Sequence, residues 1–143
     1  MNCAPAKTIK VFCVDDNHLV AEAVRLQLER ADDVHWAGSA ADATAMLREA
    51  RRQCCDVVLL DIDMPGKNPF EAIGELTEIC PESRVVMYSG LLKRDLVDRA
   101  VEAGAWGYVA KTDGETELLA AIRMVASGSF AFSRSVLSLI GEG

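Results

Sequence analysis

Four places in the chain carry residue types that could do chemistry together. They are the adjacent carboxylates Asp15 and Asp16, the pair Asp61 and Asp63, the hydroxyl of Ser89 and the ammonium of Lys111. Each has an ordinary reading alone. Asp15-Asp16 before Asn17 could cap a helix, and Asp61 and Asp63 could be turn residues ahead of Pro65-Gly66. Ser89 could be a loop serine and Lys111 a solvated surface group. Gathered in one place they would mean more. Carboxylates clustered at low dielectric repel one another, so they need raised pKa values or a cation. Oxygen-only ligation by a few carboxylates, completed by water, suits Mg²⁺ better than zinc or copper. Lysine supplies a fixed positive charge for an anion beside the metal, and Gly90 after Ser89 leaves room for a ligand to approach. Carboxylates, a hard cation, a lysine and a hydroxyl describe phosphoryl transfer.

Whether they gather depends on the elements that carry them. Short apolar runs stand at 10–14 (KVFCV), 34–37, 57–60 (VVLL), 84–88 (RVVMY) and 106–110. Between them apolar residues recur at helical spacing: Val20, Ala23, Val24 and Leu28; Ala43, Met46, Leu47 and Ala50; Phe70, Ile73 and Leu76; Leu92, Leu96, Ala100 and Ala103; Leu118, Leu119, Ile122 and Val125. Asn68 with Pro69 behind it suits a helix start, and Gly104 a left-handed helix end. The VVLL run is too continuous for a half-exposed strand and belongs at the centre of a sheet. Strand and helix alternate five times, which argues for a parallel sheet covered on both faces. Strand one then ends in Asp15-Asp16, strand three in Asp61 and strand four in Ser89, while strand five leads into Lys111. In a parallel sheet all these ends lie on one edge, where ligands bind.

The whole chain fits this picture. Its 143 residues suit one domain. With half of them hydrophobic and a net charge of −7, a phosphate-backbone partner is not expected. No apolar run approaches the length that spans a bilayer, and MNCAPAKTIK lacks the apolar core of a signal peptide, so a cytoplasmic protein without membrane contact is expected. The five cysteines at 3, 13, 54, 55 and 80 have no CxxC spacing and are read as reduced thiols. Only His18 and His35 are present, too few for a histidine-rich metal site.

The set Asp15-Asp16, VVLLDIDMPG, VVMYSG and GYVAK resembles the receiver domain of two-component response regulators, from about Thr8 to Gly128. AVEAGAWGYVAK followed by LLAAIRMVASG is most similar to receivers that precede a helix-turn-helix DNA-binding domain. The resemblance implies an α/β fold, a flavodoxin-like (βα)5 three-layer sandwich with five parallel strands in the order 2-1-3-4-5. Residues 1–7 would be a tail, 8–128 the receiver, and 129–143 an extension or a linker toward an effector domain absent from these residues. It further implies that Asp61 takes a phosphoryl group from a sensor histidine kinase or phosphotransfer protein. Asp15, Asp16, Asp61 and the backbone carbonyl of Asp63 would hold Mg²⁺. Lys111 would pair with phosphoryl oxygens, Ser89 would turn toward them, and Tyr108 would move inward behind Ser89. The protein would be a self-phosphorylating switch for transcriptional control, not a turnover enzyme. Phosphorylation-dependent homodimerisation through the fourth and fifth helices, or the first and fifth, stays open.

Three positions depart from the family pattern or vary within it. Pro69 stands where glycine is usual, and Thr112 follows Lys111 where many members carry a cis proline. A non-proline cis bond costs about 2.5–4 kcal/mol, so a trans bond is expected. Asp63 places an acidic side chain over the site and is expected to affect metal affinity and the lifetime of the phosphorylated state. Two rival readings remain: a haloacid-dehalogenase-like phosphatase, whose hhhhDxD motif VVLLDIDMP also resembles, and a receiver-like binding module that takes no phosphate. The acidic pair upstream of the DxD and the lack of a cap region count against the first; the intact set Asp15, Asp16, Asp61, Ser89 and Lys111 counts against the second.

Overall fold

A computed structural model describes residues 8–141. The expected alternation is present: β1 (Ile9–Val14), α1 (His18–Glu29), β2 (Val34–Ala40), α2 (Ala43–Ala50), β3 (Val57–Leu60), α3 (Pro69–Ile79), β4 (Arg84–Ser89), α4 (Arg94–Ala103), β5 (Gly107–Ala110) and α5 (Glu115–Ala126). The chain then adds β6 (Ala131–Phe132) and α6 (Arg134–Gly141). All strand pairs are parallel, and the sheet order is 2-1-3-4-5-6. The flavodoxin-like expectation thus holds for five strands, and a sixth joins the edge of β5.

Local chemistry explains the helix limits. Asn17, Asp42 and Asn68 cap α1, α2 and α3 by accepting from the backbone N–H of Leu19, Ala45 and Phe70. Pro69 opens α3, where its missing N–H costs nothing. Gly104 ends α4 at φ 109°, and the N–H of Ala105 reaches back to the carbonyl of Ala100. The described residues contain no cis peptide bond, so Lys111-Thr112 is trans as expected.

Strand pleat sorts the core into two layers. Phe12, Val14, Val58, Leu60, Val85, Met87 and Tyr108 point to one side, where they pack with residues of α2, α3, α4 and α6. Val11, Cys13, Val57, Leu59, Val86, Tyr88 and Val109 point to the other, against α1 and α5. All four residues of β3 and all four of β5 are buried, as a doubly covered parallel strand requires.

Residues 129–143 had no firm assignment from sequence. In the structure Val136 is fully buried, with Phe132, Leu139 and Ile140 packed against the same layer. A 3₁₀ turn over Lys111–Asp113 holds this extension in place, because the Asp113 carboxylate accepts from the N–H and hydroxyl of Ser135. The Ser133 hydroxyl accepts from the N–H of Ala110 at 3.0 Å. Gly107 permits the contact: a Cβ there would lie 2.4 Å from the Ala131 carbonyl oxygen.

Two cysteines correct an expectation. Cys54, in the loop before β3, and Cys80, at the end of α3, form a disulfide with Cα atoms 5.7 Å apart. The 26-residue separation gives no hint of the pairing, which arises because α3 returns antiparallel to β3. Cys13 and Cys55 are free, as read, and Cys3 lies outside the described residues.

Candidate functional site

Register brings the carboxylates together. Val14 of β1 pairs with Leu60 of β3, so the next residues, Asp15 and Asp61, leave the sheet side by side. Backbone bonds continue the ladder past the strand ends: Asp15 N–H donates to the Ala40 carbonyl at 3.0 Å and Asp61 N–H to the Val14 carbonyl at 3.0 Å. Both carboxylates are buried, at 4% and 5% exposure, while Asp16 and Asp63 are exposed. One oxygen from each of Asp15, Asp16 and Asp61 falls within 4.8 Å of the others.

Lys111 reaches the same point from β5. Its Nζ lies 2.6 Å from Asp15 Oδ2 and 3.6 Å from Asp61 Oδ2. Asp15 Oδ1 accepts from the N–H of Asn17 at 2.9 Å, so both its oxygens are engaged. Burial, followed by the charge of Asp15, raises the pKa of Asp61; Lys111 and the N–H groups of Ile62 and Asp63 oppose that rise. Burial alone would lower the pKa of Lys111, but its hydrogen bond to Asp15 and the charges of both carboxylates outweigh it, and the net shift is upward. Lys111 is thus the resident counter-ion of a crowded acidic site. Behind it, burial pushes the Cys13 thiol up to about 12, which removes that cysteine as a nucleophile at neutral pH.

Ser89 and Tyr108 meet at Leu91. The Ser89 hydroxyl, fully buried, accepts from the N–H of Leu91 at 3.0 Å. Tyr108 is also fully buried, and its hydroxyl donates to the carbonyl of Leu91. Burial pushes the Tyr108 phenol up to about 12, so it stays a donor. The Tyr108 side chain lies inward. Leu91 itself was missed, because it contributes main-chain groups that no side-chain pattern marks. Trp106 stacks on Phe130 with ring centroids 4.7 Å apart.

These residues line one cleft of about 250 Å³, formed by Asp15, Asp16, Asn17, Asp61, Asp63, Ser89, Gly90, Leu91 and Lys111. Every candidate site residue except Tyr108 borders it, and Tyr108 stands behind Ser89 and Leu91. The arrangement offers a buried carboxylate with one close cation, an open acidic mouth and a hydroxyl to one side. It can place a nucleophilic oxygen next to an anion-binding lysine.

Comparison with known proteins agrees with this geometry. Residues 11–123 match the family model described as the response regulator receiver domain. The transcriptional regulatory protein MctR of Rhizobium johnstonii is 36% identical over 135 residues, covering 94% of this chain and 63% of that protein. The response regulator GacA of Pseudomonas syringae pv. syringae is 35% identical over 120 residues, covering 84% of this chain and 56% of that protein. The chain therefore spans less than two thirds of the length of either relative. A crystal structure of a LuxR-family two-component response regulator from Aurantimonas superposes with a TM-score of 0.89 at 30% identity, covering 95% of this chain and 97% of that one. The signal receiver domain of the putative response regulator NarL from Mycobacterium tuberculosis gives 0.80 at 29% identity, covering 85% and 98%.

Proposed function

The chain belongs to the response regulator receiver domain family, and from that premise we propose that it is a phosphorylation switch with Asp61 as the acceptor. The observation that carries the reading is the Asp61 carboxylate, buried and 3.6 Å from Lys111, at the floor of a cleft that also holds Ser89. In the proposed reaction an Asp61 oxygen forms a bond to the phosphorus of a phosphohistidine. The phosphorus–nitrogen bond breaks, and the imidazole leaves with the electron pair. Lys111 faces the negative charge that the acyl phosphate adds. Ser89 exchanges its bond from Leu91 N–H for one to a phosphoryl oxygen.

The donor set fits a hard divalent cation: oxygen atoms of Asp15, Asp16 and Asp61 are within reach of one another at the mouth of the cleft. Mg²⁺ held there, with the Asp63 carbonyl as a further ligand, would offset charge on the phosphoryl oxygens.

In this reading the protein is a switch and not a turnover enzyme, its phosphodonor is a sensor kinase or phosphotransfer protein, and it works in the cytoplasm. Control of transcription would rest on a segment or partner outside these residues. A second copy would meet it along α1 and α5, because α6 packs on the β5 and α4 side. Leu19 and Leu26 on α1, one above the other, are 78% and 51% exposed.

The test is intact-mass measurement after incubation with Mg²⁺ and acetyl phosphate. One phosphoryl adduct on the wild type and none on Asp61→Asn is expected. No adduct on the wild type, or an equal adduct on the variant, defeats the reading. Sustained turnover of a generic phosphomonoester would instead favour a phosphatase.

A further inference from the structure

The Cys54–Cys80 pair lies at the sheet edge opposite the cleft, since β3 runs from the loop holding Cys54 toward Asp61 and α3 returns to Cys80. The ring it closes contains β3, Asp61, Asp63 and the whole of α3. Its two residues are unequally placed. Cys54 is exposed, whereas Cys80 has no exposed surface and its backbone N–H is bonded to Leu76 at the end of α3. The carbonyl of Ala50, at the end of α2, stands 3.3 Å from Cys80 Sγ and 3.8 Å from Cys54 Sγ. A disulfide has no hydrogen to offer that carbonyl, but two thiols do. Once the sulfurs move apart, the same carbonyl is placed to accept from a thiol at either position.

We propose that Cys54–Cys80 is a reversible thiol–disulfide exchange site for small thiols and disulfides of the glutathione class. An external thiolate attacks the sulfur of Cys54, the exposed residue of the pair. The sulfur–sulfur bond breaks, a mixed disulfide forms at Cys54, and Cys80 leaves as a thiolate that takes a proton and faces the Ala50 carbonyl. A second external thiolate attacks the external sulfur of the mixed disulfide and releases Cys54. In sum, two small thiols become one small disulfide and the protein gains two hydrogens. The reverse sequence oxidises the pair with the small disulfide as oxidant. Exchange does not spread to the neighbouring Cys55, which is partly buried, and whose thiol is shifted upward by burial and by Asp56. Cys13 is buried within the sheet.

The experiment uses the folded full chain with reduced and then oxidised glutathione, acid quench, alkylation and peptide mass mapping. The expected result is a gain of two hydrogens without denaturant, alkylation at Cys54 and Cys80, and re-formation of the bond in oxidised glutathione. Cys80→Ser should collect glutathione on Cys54, whereas Cys54→Ser should collect none on Cys80. A wild-type bond that opens only in denaturant overturns the proposal. So do wild-type thiols that stay free in oxidised glutathione, or an adduct that forms on Cys80. Circular dichroism checks that each variant is folded, and the wild-type measurements decide alone if one is not.

Discussion

Replacing Gly107 with alanine probes the joint between the family fold and its extension. The glycine's φ is not in the left-handed region, so the issue is space, not backbone strain. The new Cβ would sit 2.4 Å from the Ala131 carbonyl oxygen, and contacts below about 3.0 Å are not sustained, so β6 must retreat by at least about 0.6 Å. The bonds from Ala131 N–H to Trp106 and from Ser133 N–H to Tyr108 are both 3.1 Å long. A retreat along the pairing direction stretches them beyond hydrogen-bonding range and pulls the Ser133 hydroxyl from Ala110. Three bonds at about 0.5–1.5 kcal/mol each give a loss of about 1.5–4.5 kcal/mol. The loss saturates once β6 and α6 let go, because β1 to β5 pair without them. At about 3–5 °C per kcal/mol for a chain of this size, Tm should fall by about 5–22 °C. Amides of Ala131, Ser133 and Leu137 should lose hydrogen-exchange protection before those of β3. Gly74→Ala is the control: nothing lies near its Cβ inside α3, so a gain of about 0.5–1 kcal/mol is expected. A Gly107→Ala protein with wild-type Tm and unchanged protection at Ala131 and Ser133 would refute the reasoning.

Other outcomes follow from the site. The raised Asp61 pKa means that its stability contribution is complete below the unfolded carboxylate value and is lost as pH rises through the folded value. Asp61→Asn should therefore gain stability relative to wild type from about pH 4 upward in urea unfolding with a chelator present; a pH-independent difference counts against this. Lys111→Met leaves Asp15 and Asp61 without their cation and should cost about 2–3 kcal/mol at pH 7, after discounting for the part-exposed lysine, with the loss shrinking in acid. Equal urea midpoints for the variant and wild type at pH 7 would show that the pair contributes nothing. Asp63→Asn, at an exposed position over the cleft, should alter Mg²⁺ affinity and the dephosphorylation rate without a change in Tm; unchanged values for both would remove any role for that side chain.

Much of this site was legible because its information is local and periodic. Runs such as VVLL end in the residues that matter, and a parallel sheet turns distant strand ends into one edge. Asn68 and Gly104 were readable because caps depend on one side chain or on its absence. What escaped depends on contacts between segments. Cys54 and Cys80 meet only because of where α3 ends, and spacing within the sequence carries no record of that. Strand β6 has two residues, too few to show a period, and is held by Gly107 and Ser133 through their surroundings. Leu91 is used through its N–H and carbonyl, which every residue but proline possesses.

The two-layered core makes the sheet a partition. Tyr108 belongs wholly to the layer shared with Val97, Ala100 and Val136, while its neighbour Val109 belongs to the layer shared with α1 and α5. A displacement of Tyr108 is thus felt first by α4 and α6, the elements next to Leu91 and to the chain's last described turn. The layer shared with α1 and α5 meets the cleft through Tyr88 instead, whose ring centroid lies 6.0 Å from the Lys111 Nζ. Pleat parity, set by whether a residue number is odd or even along β5, decides which layer each of its side chains joins.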